Sequence, residues 1–151
     1  MQALRAVFSL AILFASAAGV ANTPQADDFA LLDHTGKFHQ ASYYSDHDAI
    51  VILVESSTTL ATKRAQAALA AVAKLERADD IKVMLISPAF NEDRQTLKAV
   101  MTSSGYNLPV LLDETQLVVQ SLELQQYGEV LVIDPATMSI IYRGDSQPLT
   151  D

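Results

Sequence analysis

The stretch that decides the fold reads AIVILVESSTTLATKRAQAALAAVAKLE and covers residues 49–76. Its first six residues are apolar and mostly β-branched without alternation, which predicts a strand that is buried on both faces. A hydroxyl-rich turn follows at residues 55–59 and opens an alanine-rich helix from about Leu60 to Glu76. A buried strand that leads through a short turn into a helix is typical of an α/β protein.

The rest of the chain repeats this alternation of strands and helices. An N-terminal β-hairpin is predicted at residues 28–44, with turn residues Asp33 to Lys37 between its strands. Asn91 is predicted to be the N-cap of a second helix, and Gly105 ends it. The order predicts an α/β fold, with a central mixed sheet covered by helices on both faces. The further segments are strands at 81–86, 110–112, 129–134 and 139–143 and helices at 92–104 and 116–122.

The chain contains no cysteine. Disulfides, cysteine zinc sites and covalent c-type haem are therefore excluded. A threonine hydroxyl does not ionise usefully near neutral pH and cannot form a disulfide, so thiol-dependent catalysis is not expected. We also expect no cofactor.

Residues 1–21 have the pattern of a secretory signal peptide. Arg5 supplies the positive start, an uncharged apolar run follows, and Gly19-Val20-Ala21 offers small residues for cleavage. The expected location is therefore periplasmic or secreted, with membrane contact only through the signal peptide during export. An uncleaved anchor is the alternative, although the run is shorter than the roughly 20 residues that a membrane-spanning helix needs.

Removal of the signal peptide leaves nine basic and eighteen acidic residues, a net charge of −9. Nucleic acid and anionic lipid surfaces require clustered Lys and Arg, so neither is an expected partner. The remaining residues suffice for one domain. The expected boundaries are a linker at 22–27, a domain at 28–144 and a short tail at 145–151.

Several segments together resemble a known family. They are residues 28–37 (DFALLDHTGK), the strand, turn and helix at 49–76, residues 108–114 (LPVLLDE) and the late hairpin at 130–144. Their order is similar to that of thioredoxin-like redoxin domains, the group of alkyl hydroperoxide reductase/thiol-specific antioxidant proteins and exported thiol-disulfide oxidoreductases. The resemblance covers roughly residues 26–144 and implies a thioredoxin-like fold.

The resemblance also implies a redox site that this chain lacks. The family's nucleophilic cysteine would fall at or beside Thr59, a resolving cysteine near Thr62, and a cis-proline or arginine facing the thiol at Gly128. We therefore predict no catalytic residues and a degenerate slot at these three positions.

Two groups of side chains are candidates for binding. Ser56, Ser57, Thr58 and Thr59 at a helix start suit a small anion or a partner's carboxylate, and the alternative is plain N-capping by Thr58 or Thr59. His34 and His39 are candidates as metal ligands. The alternative for them is a solvated position in the hairpin, since no spaced metal motif is present.

Only seven residues follow Gly144, too few for the helix that normally covers one face of a thioredoxin-like sheet. We therefore expect a truncated C-terminal helix and a partly bare sheet face, which predicts a protein partner or self-association. The alternative is that the N-terminal hairpin covers this face. The residues lining it would be Val130, Val132 and Ile140, or the alternating set Leu131, Ile133 and Ile141.

These observations favour an exported thioredoxin-like protein that acts as a binding or accessory module. Whether it is an enzyme stays open at this level. The alternatives are an oxidoreductase or antioxidant protein by family membership, a variant that binds a metal through its histidines, and a decayed paralogue without a selected role.

Overall fold

The computed structural model of the chain describes residues 22–78 and 80–147. The predicted signal peptide at residues 1–21 therefore lies outside the described residues. Within the described ranges, no helix combines the length and the apolar character needed to cross a membrane. The strands are β1 (Ala30–Leu32), β2 (Phe38–Gln40), β3 (Ala49–Val54), β4 (Ile81–Ser87), β5 (Val110–Leu112), β6 (Glu129–Asp134) and β7 (Ser139–Asp145).

A five-stranded mixed sheet in the order β5-β4-β3-β6-β7 forms the centre of the fold. Strands β3, β4 and β5 are parallel, whereas β6 and β7 run antiparallel to their neighbours. All six residues of β3 are buried. An uninterrupted apolar strand belongs in this central position, because both of its faces are covered. The predicted α/β fold is confirmed.

Helices pack on both faces of the sheet, as predicted. They are α1 (Ser57–Leu60), α2 (Lys63–Ala78), α3 (Arg94–Ser104) and α4 (Leu117–Ser121). Apolar residues of α1, α2 and α3, such as Leu60, Leu69 and Leu97, share one buried cluster with Val51 and Leu53. The other face is covered by α4 and by the N-terminal segment around Phe29.

The N-terminal hairpin is present but shorter than predicted. Strand β2 ends at Gln40, and residues Ala41–Tyr44 form a 3-10 helix where the sequence predicted more strand. Ala41 N–H donates to the carbonyl of Phe29 at 3.0 Å, which continues the β1–β2 register for one more pair before the 3-10 helix. The hairpin joins the sheet at its β5 edge, where Asp33 bridges Leu111.

The predicted linker at 22–27 is tied to the last strand. Gln25 forms an isolated bridge with Ser139, and Ala26 N–H donates to the carbonyl of Met138 at 2.8 Å. Ala26 and Phe29 are buried against Leu131 and Ile133. The segment before β1 therefore covers the face of β6 on which Leu131 and Ile133 lie.

The predicted bare face is wrong for most of its residues. Val130 is only 1 % exposed because α1 and α2 pack on its side of the sheet, and Leu131 and Ile133 are fully buried on the other side. Val132 and Ile140 are partly buried against the same two clusters. Of the two sets, Ile141 alone is strongly exposed, at 59 %. After β7 the structure describes only Ser146 and Gln147, of which Gln147 has 3-10 helical geometry, and residues 148–151 lie outside the described residues.

Candidate functional site

The degenerate slot lies at the carboxyl end of β3. Gly128 N–H donates to the carbonyl of Val54 at 2.8 Å, which places the residue before β6 beside the start of α1. Thr59 lies in α1, and Thr62 stands between α1 and α2. The structure therefore brings together the two chain segments that the resemblance implied would meet.

Ser56 is the N-cap of α1, so the prediction of capping by Thr58 or Thr59 is wrong. The Ser56 hydroxyl accepts from Thr59 N–H at 3.3 Å, and the Thr59 hydroxyl accepts from Ser56 N–H at 2.8 Å. This reciprocal pair is a capping box. The hydroxyl at the slot is thus held by the backbone of its own turn.

The predicted single helix from Leu60 is interrupted. Helix α1 ends at Leu60, and α2 begins at Lys63. Thr62 joins them, because its hydroxyl donates to the carbonyl of Thr59 at 2.7 Å and accepts from Ala65 N–H at 3.2 Å. The hydroxyls of both slot threonines therefore form hydrogen bonds with backbone groups at the ends of helices.

Ser57, one of the predicted binding residues, is tied to a buried carboxylate. Its hydroxyl and its N–H both donate to Glu92, at 2.5 and 3.1 Å. The hydroxyl of Ser87, at the end of β4, donates to the same carboxylate at 2.5 Å. Glu92 therefore fastens the loop after β4 to the start of α1, and it satisfies Ser57 without an external anion.

Glu55 continues β3 into the turn and is only 1 % exposed. Its Oε2 has no hydrogen-bond partner within residues 22–78 and 80–147, and neither has the buried hydroxyl of Ser146. Burial raises the pKa of the Glu55 carboxyl, and the Thr59 hydrogen bond and the charge of Arg64 oppose that rise only in part. A buried carboxyl without a full set of partners favours its protonated form.

Arg64, in the first turn of α2, lies over Gly128. A Cβ added at Gly128 would overlap the Arg64 guanidinium, so the lack of a side chain there makes room for the arginine. Arg64 also forms an ion pair with Asp145 at 3.2 Å. The family resemblance implied an arginine or a cis-proline at position 128, and here an arginine reaches the same place from the helix.

A groove of about 230 Å3 opens beside the end of β3. No charged residue lines it, and two exposed apolar residues, Phe90 and Leu117, follow its residues Pro88 and Gln116 closely in sequence. Its walls combine apolar side chains with glutamine amides. The lining residues are Val54, Pro88, Gln116, Val119, Gln120, Leu124, Gln125, Gln126 and Tyr127.

The two candidate metal ligands are not brought together as a metal site. His34 Nδ1 accepts from Val110 N–H at 3.2 Å, whereas both ring nitrogens of His39 bond to Asp33 and Tyr44. In the part of the chain that the structure describes, no group of three or more His, Cys, Asp or Glu side chains is arranged to hold a metal.

Sequence reasoning missed three residues of this site, namely Glu55, Arg64 as the cover of Gly128, and Glu92. Asp145 lies 81 residues from Arg64 and Ser57 lies 35 residues from Glu92, so local spacing carries no sign of these two contacts. Glu55 did leave a sign in the sequence. It directly extends a strand that is buried on both faces, although Asp48 at the other end of the same strand is exposed.

Comparison with known proteins identifies the family. The profile of the AhpC/TSA family matches residues 23–144, and the chain belongs to this family. The comparison with curated proteins gave no match.

Solved structures share the fold at low sequence identity. A hypothetical protein of Sinorhizobium meliloti has a TM-score of 0.71 and 21 % identity, over 82 % of this chain and 69 % of that one. A thiol-disulfide oxidoreductase of Bacteroides fragilis has a TM-score of 0.67 and 16 % identity, over 83 % of this chain and 95 % of that one. The exposed lipoprotein thioredoxin of Streptococcus pneumoniae has a TM-score of 0.60 and 19 % identity, over 79 % of this chain and 89 % of that one. The thioredoxin-like fold is thereby confirmed.

Proposed function

We propose that this member of the AhpC/TSA family is an exported binding module without thiol redox activity, and that it holds an uncharged peptide segment in the groove beside β3. The observation that carries the proposal is the slot itself. The chain has no cysteine, and the hydroxyl of Thr59 at the slot is held in a capping box. A redox function by family membership would need a thiol that is absent.

The lining of the groove supports a peptide as the ligand. Four glutamine side chains, at positions 116, 120, 125 and 126, line the groove with amide donors and acceptors, and that of Gln116 already donates one hydrogen to the carbonyl of Pro88 at 2.9 Å. This combination matches the N–H and C=O groups of an extended backbone. Val119, Leu124 and Tyr127 provide apolar surface for one or two side chains, and the uncharged lining favours a ligand segment without charge.

Export is supported by the signal pattern of residues 1–21 and by the family setting. One structural relative is an exposed lipoprotein of Streptococcus pneumoniae. We expect the mature chain to begin at or near Asn22, in the periplasm or outside the cell. Mass spectrometry of protein from an extracytoplasmic fraction tests this, and an intact N-terminus would indicate an anchor instead.

Peptide binding can be tested by panning a library of random uncharged dodecapeptides against mature protein. We expect the selected peptides to shift the side-chain amide signals of Gln116, Gln120, Gln125 and Gln126 in NMR spectra. Gln120→Glu adds a charge inside the groove and should abolish binding. Gln95→Glu makes the same change at an exposed position of α3 and should leave binding intact.

Equal loss of binding in both variants, or shifts that map away from the groove, would contradict the peptide site. The absence of redox chemistry has its own test. Peroxidase or dithiol-reductase turnover by purified mature protein above a heat-killed control would refute that part of the proposal.

A further inference from the structure

Three side chains far from the slot form a continuous hydrogen-bonded relay. The relay consists of Asp33 after β1, His39 in β2 and Tyr44 at the end of the 3-10 helix. His39 Nε2 lies 2.7 Å from Asp33 Oδ2, and His39 Nδ1 lies 2.6 Å from the Tyr44 hydroxyl. Asp33 and His39 are both buried, at 3 % and 2 % exposure.

The chemistry of Asp33 fixes the positions of the protons. Burial alone would raise the pKa of Asp33, but hydrogen bonds from Thr35, His39 and Lys37 outweigh it and bring the pKa to about 2. Asp33 is therefore a carboxylate near neutral pH and can only accept hydrogen bonds. His39 Nε2 must carry its hydrogen. In the neutral ring Nδ1 is then a bare acceptor, and the Tyr44 hydroxyl donates to it.

The surroundings of Tyr44 disfavour both simple charged forms of the phenol. Burial, followed by the negative charges of Asp33 and Glu76, raises the pKa of Tyr44, so the proton is not released to water as in an ordinary tyrosinate. The Lys82 ammonium lies 5.4 Å from the centre of the ring and opposes a radical cation. Both effects favour loss of an electron from this ring together with loss of its proton.

We propose that Tyr44 is a site of proton-coupled one-electron oxidation, with His39 as the proton acceptor and Asp33 as the group that stabilises the charged imidazole. The oxidant class is an organic peroxyl radical. One electron passes from Tyr44 to the peroxyl radical while the phenolic proton moves to His39 Nδ1. The products are a neutral phenoxyl radical, an imidazolium paired with Asp33, and a hydroperoxide anion that takes a proton from water.

Composition makes this site the natural target of such an oxidant. The chain has neither cysteine nor tryptophan, so its five tyrosines and four methionines are its most easily oxidised side chains. Among the tyrosines within residues 22–78 and 80–147, the one at position 44 has a hydroxyl hydrogen-bonded to a histidine. Its neighbour Tyr43 is more exposed, at 65 %, and packs edge-on against Phe38.

Tyr43 and Tyr44 form a matched pair for the test. Mature protein is exposed to trichloromethylperoxyl radical generated by pulse radiolysis, and the phenoxyl absorbance is followed in time. We expect Tyr43→Phe to keep the fast phase of radical formation and Tyr44→Phe to lose it. A fast phase that survives in Tyr44→Phe, or that disappears in Tyr43→Phe, would overturn the proposal.

The role of His39 is tested in His39→Gln, which keeps a polar group at the position. A positioned base contributes about a hundredfold or more to a rate, so we expect the fast phase to slow on that order. An unchanged rate in a folded His39→Gln protein would contradict the relay. Should this variant fail to fold, the solvent isotope effect of Tyr43→Phe decides: a slower fast phase in D2O supports coupled proton transfer, and equal rates refute it.

Discussion

Gly128 combines a left-handed backbone with a neighbour that occupies the space of a side chain. Its φ of 83° disfavours any residue with a Cβ, and the Arg64 guanidinium fills the place where that atom would be. The position therefore constrains both the turn before β6 and the helix that carries the arginine.

We expect Gly128→Ala to destabilise the protein by about 1 kcal/mol or more, because the backbone is strained and the arginine must move. Urea unfolding measures the effect. Gly105→Ala is the matched control, since Gly105 also has a positive φ but a Cβ there would meet nothing within 4 Å. Equal losses of stability in the two variants would mean that displacing the Arg64 side chain does not change the free energy of unfolding.

The raised pKa of Glu55 predicts that the contribution of this residue to the stability of the fold is lost as the pH rises. Because its pKa is raised in the folded state, the folded protein binds its proton more tightly than the unfolded chain does. This contribution to stability is fully present below the unfolded pKa and is lost as the pH rises through the folded pKa. The groups that face the carboxyl are Thr59, Arg64 and Asp145.

We expect Glu55→Gln to remove this loss and to be more stable than the natural protein above the folded pKa of Glu55. Urea unfolding between pH 4 and pH 8, the range in which a carboxyl with a raised pKa titrates, measures the difference. Glu114→Gln changes an exposed carboxyl and serves as the control. A stability difference between Glu55→Gln and the natural protein that does not change with pH would count against a raised pKa.

At the scale of elements, the short helix α1 determines what a thiol at the slot would experience. The Thr59 hydroxyl accepts from Ser56 N–H at 2.8 Å, and a thiolate at this position would accept from the same group. We expect Thr59→Cys to have a thiol pKa below the ordinary value of about 8.5. The pH dependence of alkylation by iodoacetamide measures it.

The exposed Thr58→Cys, without such a donor, is the comparison. Removal of the neighbouring carboxyl in a Thr59→Cys/Glu55→Gln protein should lower the thiol pKa further. A thiol pKa in Thr59→Cys that equals or exceeds that of Thr58→Cys would show that the turn gives no stabilisation to an anion.

Elements whose signal is local were predicted well from the sequence. The apolar run at 49–54 and the left-handed Gly105 that ends α3 both lie where predicted. The N-cap of α3 is Asp93 and not Asn91, because the Asp93 carboxylate accepts from the N–H groups of Gln95 and Thr96. Two capping residues so close together cannot be separated by pattern alone.

Elements that depend on distant contacts were not predictable in this way. Strand β2 gives way to a 3-10 helix in which Ser42 N–H donates to the distant Asp28 carboxylate, and the cover of the sheet follows from the pairing of Gln25 with Ser139. The slot at Thr59 and Gly128 is predicted from the family resemblance. The carboxylates of Glu55 and Glu92 that surround it became visible only with the fold.

At the scale of the whole molecule, self-association stays a proposal and is now confined to edge strand β7. Ile141 and Tyr142 are exposed there, and an edge strand presents backbone groups that a second copy can pair with. Sedimentation of mature protein at micromolar concentration should show a dimer that Ile141→Lys abolishes. A monomer that binds no hydrophobic dye would refute an interface at this edge.

The all-apolar strand β3 also has a consequence for the chain before it folds. Six consecutive apolar residues, four of them β-branched, with no charge and no proline form a segment that aggregates readily when exposed. Asp48 and Glu55 flank it directly and act as charged gatekeepers in the unfolded chain. The ionised carboxyl of Glu55 therefore disfavours the folded state, but its charge protects the nascent chain from aggregation. We expect Glu55→Gln to increase the free energy of unfolding and to lower the yield of refolding.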